Sequence, residues 1–381
     1  MEFVDLKQQY ERLRPQIHQR INAVLEHGKF IMGPEVGELE HRLAAFVGAR
    51  HCVSCANGTD ALLLSLMAYQ VGPGDAVFTT PFTFIATAEV ICLLGATPVF
   101  VDIDPHTYNI DPGKLELAIL EIQQGKRSFG RGQNKLNPKG IIAVDLFGLP
   151  ADYDAMNRIA KQYGLFVVED AAQSLGGTYK DKRVGNVTDI AATSFFPAKP
   201  LGGYGDGGAV FTNDDVVASN LRSLREHGKG SHKYDNVRIG INGRLDTLQA
   251  AILLSKLEMF ETEIRMRQDV AGRYSSGLKE FLQIPVIPDG LTSAWAQYSV
   301  VTADREAYLA ALKEQGIPTA IYYPRPLHLQ TAFVYLDYRE GDFPIAERMS
   351  KTIFSLPMHP YLTAQDQEQI IAAVENAHAA I

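Results

Sequence analysis

Apolar residues recur at every third or fourth position over residues 6 to 27 and 35 to 47, which predicts two amphipathic helices, the second stopped by Gly48. From residue 51 the rhythm changes. Short apolar runs (HCVSC, DAVFTT, TPVFVDI, IIAVDLF, LFVVED) read as buried strands. Between them lie segments of helical period, TDALLLSLMAYQ, FIATAEVICLLG and YDAMNRIAKQYG. Strand and helix alternating across short turns predict an α/β fold with a mostly parallel sheet covered on both faces. Ligands of such sheets gather at the C-terminal ends of the strands.

After residue 213 helices dominate: DDVVASNLRSLREHG, then long helices in near-continuous register from RLDTLQAAIL to GRYSSGL. From about residue 285 a smaller α+β part is expected, with strand QYSVVT, helix REAYLAALKEQG, strand TAIYY and a closing helix AQDQEQIIAAVENAHAA. The expected division is a large ligand-binding domain over 1–260, N-terminal helices included, and a smaller C-terminal α+β domain over 261–381. The polar, basic stretch EIQQGKRSFGRGQNKLNPKG, residues 121 to 140, reads as an exposed, mobile loop without chemistry.

Composition narrows the function. A net charge of −8, with acids and bases mixed along the chain, offers no basic stripe for nucleic acid. The first twenty residues are charged from Glu2 onward and lack an apolar signal segment, and the apolar stretch from Ala76 to Val101 is interrupted by Pro81, Glu89 and Pro98. No membrane span is expected, and a cytoplasmic protein is. Cys52 and Cys55 form a C-x-x-C that could be redox-active or half a zinc site. Without a second pair, small buried residues of a reduced protein are the better reading, and no metal is expected.

The segment SFFPAKPLGGYGDGGAV, residues 194 to 210, contains a G-x-G-x-x-G at Gly203, Gly205 and Gly208. A dinucleotide loop must follow a strand and open a helix. Here the continuation AVFTND is strand-like, which speaks against a nicotinamide enzyme and for a tight turn packed close to something bulky. Lys199, between Pro197 and Pro200 in sequence, is off any regular element and free to reach a pocket. Two other strand ends carry chemistry. LFVVED brings Glu169 and Asp170 to the edge of a buried strand, where a carboxylate is costly without a partner, and Gln173 follows. SCANGTDAL places Gly58 and Thr59 at a helix start, a seat for phosphate. Taken singly, Asp170 could be a helix cap, Thr59 an N-cap and Phe84 core packing. Together, an acid for a ring nitrogen, a phosphate seat and a lysine able to form a Schiff base are what pyridoxal 5′-phosphate (PLP) requires.

Nearly the whole chain resembles the DegT/DnrJ/EryC1/StrS family of sugar aminotransferases. The likeness runs through GPEVGELEHRLAAFVGA, NGTDAL, PFTFIATA, VDIDPHTYNID, VVEDAAQSLG, SFFPAKPLGGYGDGGAVFT, REHG, GINGRLDTLQAAIL and SLPMHPYL. It implies PLP fold-type I, resembling aspartate aminotransferase, with a sheet of the seven-stranded type. In that likeness Lys199 forms the internal aldimine with PLP and shuttles the proton, and Asp170 pairs with the pyridinium nitrogen. Gln173 bonds the ring hydroxyl, and Phe84 stacks on the ring. Gly58, Thr59 and Ser194 hold the phosphate. Asn242 resembles the asparagine that reaches the phosphate from the neighbouring subunit, which implies a homodimer with shared active sites. Relatives that dehydrate sugars have histidine in place of this lysine, so Lys199 implies transamination. L-glutamate is the implied amino donor and a nucleotide-linked keto-sugar the acceptor.

The details of the 193–208, 244–258 and 355–362 segments are most similar to family members that aminate the 3-keto group of UDP-N-acetyl-3-ketoglucuronic acid for O-antigen and lipopolysaccharide synthesis. Arg244 matches a substrate arginine, and a surface arginine at a helix start is the plainer alternative. IYYPRPLH matches a substrate loop, with Tyr322 where histidine is common, Tyr323 beside it and Arg325 as an extra cation. A deoxy 3- or 4-keto sugar on dTDP, UDP or GDP stays open as the acceptor.

Overall fold

The computed structural model describes residues 1–126, 136–232 and 234–381. The chain begins with α1 (Leu6–His27) and α2 (Pro34–Val47). Asp5 caps α1 by accepting from the Gln8 N–H at 2.8 Å, and α1 and α2 end on Gly28 and Gly48 in left-handed conformation. The alternating region then gives β1 (His51–Cys55), α3 (Gly58–Ala68), β2 (Asp75–Thr79), α4 (Ala86–Leu93), β3 (Thr97–Phe100), α5 (Pro112–Gln123), β4 (Asn137–Val144), α6 (Tyr153–Tyr163) and β5 (Phe166–Asp170). A small hairpin of β6 (Thr178–Tyr179) and β7 (Lys182–Arg183) precedes β8 (Ile190–Ser194), β9 (Gly208–Thr212) and α7 (Asp215–Leu224). The last part holds α8 (Thr247–Leu278), β10 (Leu291–Thr292), β11 (Tyr298–Val301), α9 (Arg305–Glu314), α10 (Pro344–Thr352), β12 (Ile353–Leu356) and α11 (Ala364–Ala380).

Among the described residues the main sheet has seven strands in the order β1-β9-β8-β5-β4-β2-β3. It is the α/β arrangement that the alternating pattern predicts. All neighbours pair in parallel except β9, which runs antiparallel to both β1 and β8. Gly208 pairs with Cys55 on one side and with Ser194 on the other, so β1 and β8 end level with each other on either side of β9. Asp170, the last residue of β5, lies on the same edge because β5 is parallel to β8. The sheet thus gathers the Gly58, Asp170 and Ser194 regions at one rim. Asp170 is followed by turns, not a helix, which removes the helix-cap reading.

One apolar layer packs α3, α4 and α7 onto one face of the sheet, through residues such as Leu64, Val90, Val168 and Leu221. On the other face one cluster is built on Phe78, Phe100, Ile141 and Met156, and another on Leu39, Phe195, Phe211 and Leu253. A further cluster, from Val270 to Ala377, joins the second half of α8 to β11, β12, α9 and α11. α8 is one unbroken helix of 32 residues where the sequence suggested several in register, and it runs through position 260 without a break. The segment from Leu327 to Ile353 packs into the cluster around Phe100, with Phe100 edge-on to Phe333 at 5.6 Å.

Three local expectations need amending. TAIYY is not a strand: Ala320 makes a single bridge to Ser355, and the prolines at 318 and 324 lack the N–H a longer ladder would need. α10 and β12 went unread, being short and separated by no turn residue. The expected loop at 121 to 140 is trimmed at both ends, since α5 runs to Gln123 and β4 starts at Asn137; residues 127–135 lie outside the described residues. Cys52 and Cys55 are buried free thiols belonging to different apolar clusters on opposite faces of β1, and burial raises the pKa of both. They do not converge on one ion.

Candidate active site

Asp170 is buried at the end of β5 with four influences on its charge. Burial raises its pKa, while the Thr87 hydroxyl, donating to Oδ2 at 2.9 Å, the Ala172 N–H at 3.3 Å on Oδ1, and the positive field of Lys199 oppose that rise. Lys199 shows the converse. Its half-buried ammonium is pushed toward the neutral amine by desolvation, and the Asp170 carboxylate pulls in the other direction. The two groups sequence reasoning singled out are therefore electrostatic neighbours. Thr87, on α4, was missed; its hydroxyl is an ordinary helix residue in sequence and becomes informative only when α4 is laid over the β5 end.

Gln173, in the turn after Asp170, is also buried. Its Oε1 accepts from the Phe147 N–H at 2.7 Å, and its Nε2 donates to the Tyr323 hydroxyl at 3.2 Å. That bond ties the 321–328 loop to the sheet rim, and the Leu327 N–H adds a second tie by donating to the Pro81 carbonyl at 2.8 Å. Tyr322 lies against Phe3, and Arg325 is exposed in the same loop. Phe84 is 56% exposed, so core packing is not its role, and its ring is available to cover a planar ligand.

The start of α3 is open to an anion. Asn57, not Thr59, is the N-cap, accepting from the Asp60 N–H at 2.7 Å. Gly58 and Thr59 are the first helical residues, where N–H groups have no carbonyl within the helix to meet. Gly58 touches β8 so closely that a Cβ there would lie 2.6 Å from the Ser194 Cβ. Ser194 therefore faces the α3 start across a gap only glycine allows.

The glycine run has a different task from phosphate binding. A Cβ at Gly203 would lie 2.8 Å from Gln249 Oε1, one at Gly205 2.9 Å from Gln249 Nε2, and one at Gly208 2.4 Å from the Asn57 carbonyl oxygen. The run folds around Gln249 of α8, which also accepts from the Tyr204 N–H at 2.8 Å, and leads into antiparallel β9. No helix follows Gly208, so the dinucleotide reading is removed. Gln249 was invisible to motif reasoning because its partner is a backbone N–H far away in sequence.

Asn242 and Arg244 border an open hollow of about 440 Å³ shared with Asn57, Gly205, Asp206 and Gln249 and not lined by Lys199. Arg244 donates to Asn242 Oδ1 at 2.6 Å, while its Nε is buried without a partner. Behind Lys199 is a small cavity bordered by Asp5, Gln9, Arg267, His359 and Tyr361, which brings the N-terminal segment against the lysine's far side.

The residues fit PLP on structural grounds: a buried carboxylate, a lysine biased toward the amine, and a helix start whose first residue has been reduced to a hydrogen. The DegT/DnrJ/EryC1/StrS aminotransferase family model matches residues 11–375, and the chain belongs to this family of PLP-dependent sugar aminotransferases. It is 50% identical over 99% of its length, and all of the relative's, to the UDP-2-acetamido-2-deoxy-3-oxo-D-glucuronate aminotransferase of Pseudomonas aeruginosa. A DegT DnrJ EryC1 StrS aminotransferase from Brucella abortus superposes with a TM-score of 0.95 at 49% identity, covering 99% of both chains. NtdA of Bacillus subtilis, solved with bound PMP, superposes with a TM-score of 0.87 at 27% identity over 97% of this chain and 82% of its own. No helix among the described residues is long and apolar enough to cross a membrane.

Proposed function

We propose that this protein transfers the amino group of L-glutamate to the 3-keto group of UDP-N-acetyl-3-ketoglucuronic acid. The observation that carries the chemistry is the mutual bias of Lys199 and Asp170. The acceptor is inferred from the Pseudomonas aeruginosa relative, half of whose residues are identical across its full length.

When bound, PLP supplies an electron-accepting ring that stabilises a carbanion beside the transferred nitrogen. Asp170 would hold a proton at the ring nitrogen, and the Thr87 hydroxyl on Oδ2 favours its ionised form against the effect of burial. Lys199, whose burial favours the free amine over the ammonium, would take up and return a proton at its Nζ. The N–H groups of Gly58 and Thr59 and the Ser194 hydroxyl bind phosphate oxygens, Phe84 covers the ring face, and Gln173 orients the ring hydroxyl. Tyr322, Tyr323 and Arg325 face the sugar, with Arg244 as a further cation for its anionic groups.

The working unit we propose is a cytoplasmic homodimer in which Asn242 completes the partner's phosphate site. Supporting this, Phe30, Ile31, Val237 and Ile239 are all exposed. The division into 1–260 and 261–381 is proposed on the cluster that begins at Val270.

Purified protein should carry a visible absorbance band that Lys199→Ala abolishes. L-glutamate should bleach the band, and the UDP-3-keto sugar acid should restore it faster than dTDP-linked deoxy keto-sugars. A colourless protein, or a band indifferent to every amino donor, would overturn the transaminase reading. Faster restoration by a dTDP sugar would overturn the assigned acceptor.

A further inference from the structure

Beneath Asp170, on the inward side of the sheet, lie two other carboxyl groups that the reaction does not use. Asp145, just past the end of β4, and Glu169, next to last in β5, are both 0% exposed. Ala143, two residues before Asp145, pairs with Glu169 across β4 and β5, so the two acids lie on the same face of the sheet as diagonal neighbours on adjacent strands. Asp145 is crowded with donors: Tyr153 Oη at 2.6 Å and the Ala151 N–H at 2.9 Å on Oδ1, and Ser174 Oγ at 2.6 Å on Oδ2. Glu169 accepts from the Gly185 N–H at 3.0 Å through Oε1, while Oε2 meets no N–H or hydroxyl donor. Among the described residues neither carboxyl has an ion-pair partner.

We propose that Glu169 and Asp145 hold one proton between them, and that the pair is a positioning device for the turn that carries Asp170 and Gln173. Two ionised carboxylates cannot hydrogen-bond to each other, because each only accepts. With the proton on Glu169, its otherwise unpartnered Oε2 becomes the donor and Asp145, already accepting three bonds, keeps the negative charge. Burial is the largest cause raising both pKa values, that of Asp145 to about 7; the charge of Asp145 raises Glu169 further, and that of Asp170 raises Asp145. The titratable groups facing the pair are Tyr153 from α6, itself held protonated by burial, and Asp170 from β5; the segment at 185–187 offers only backbone N–H groups. The link to the turn is direct. The Asp145 N–H donates to the Asp170 carbonyl at 3.2 Å, and the Ser174 hydroxyl, one residue beyond Gln173, donates to Asp145. The pair therefore clamps the turn from below while its upper face carries the two groups assigned to the cofactor ring. The positioning half rests on the assignment of Asp170 and Gln173 made above; the shared proton does not.

Two variants test the two halves. Glu169→Gln replaces the protonated acid by an amide that donates to Asp145 and accepts from Gly185. A carboxyl whose folded pKa is raised loses stabilising effect as pH rises above its unfolded value, here 4.5 for Glu169. In thermal melts of cofactor-free protein, the Tm of Glu169→Gln minus that of the wild type should grow steadily from pH 5 to pH 9. A constant difference across that range would show Glu169 ionised and overturn the shared proton, whatever the fate of the transaminase reading. Ser174→Ala cuts the tie between the pair and the turn. In titrations with PLP followed by absorbance, it should bind about tenfold more weakly, with a displaced visible band, as expected for one lost hydrogen bond to a charged group. Glu169→Gln should bind as the wild type does. Wild-type affinity and band in Ser174→Ala, or equal weakening in both variants, would overturn the positioning role.

Discussion

Thr87 on α4 donates its hydroxyl hydrogen to Asp170 Oδ2 at 2.9 Å, joining a helix on one face of the sheet to the buried acid at its rim. This bond lowers the pKa of Asp170 against a burial effect that raises it. Thr87→Val keeps the shape and removes the donor. Its expected effect is about tenfold weaker cofactor binding, from a bond to an ionised group worth about 1.5 kcal/mol. Thr87→Ser should restore most of the affinity. Absorbance titration with PLP checks both.

The glycines following Lys199 should respond unequally to alanine. At Gly208 the new Cβ meets the Asn57 carbonyl, a backbone atom pinned at the start of α3, so Gly208→Ala should cost about 2 kcal/mol in a denaturant melt. At Gly203 and Gly205 it meets the end of the Gln249 side chain, which can withdraw. Gly203→Ala should cost less, and its cost should shrink further in a Gln249→Ala background.

His359, at the small cavity behind Lys199, has its pKa depressed to about 4, first by burial and then by the nearby Arg267 guanidinium. The unfolded chain takes up a proton near pH 6.5 that the folded one refuses until about pH 4. Its neutral form therefore supports folding above pH 6.5, and that support is lost as pH falls toward 4. His359→Gln should lose stability less steeply than the wild type over this window, as measured by Tm at half-unit pH steps.

Much of the fold was legible because a buried parallel sheet writes its strands as bare apolar runs separated by helical period. Lys199, Asp170 and the Gly58–Thr59 helix start were legible too, since each sits where a local pattern breaks: a lysine off regular structure, an acid ending an apolar strand, a glycine opening a helix. What escaped was anything whose meaning is a partner. Thr87 is an unremarked helix residue until α4 crosses β5. Gln249 looks like one more polar position on a long helix. Asp145 reads as the tail of a strand, and nothing in the sequence announces that Glu169 will face it. The strand expected at TAIYY failed for a related reason: its apolar residues match a strand, but prolines at both flanks deny it a ladder.

The pairing of Ser194 and Cys55 with the same residue, Gly208, closes the segment bearing Lys199 at both ends. The lysine rides on a loop of defined contour between two clasped strands. Swapping its non-glycine side chains leaves the reach of the amine intact, whereas adding or deleting a residue displaces the amine or unzips the register. For an engineer reshaping this enzyme, that stretch is best edited in spelling and never in length, and diversity of size belongs in the 321–328 loop, which is held at the rim by side-chain and single backbone ties.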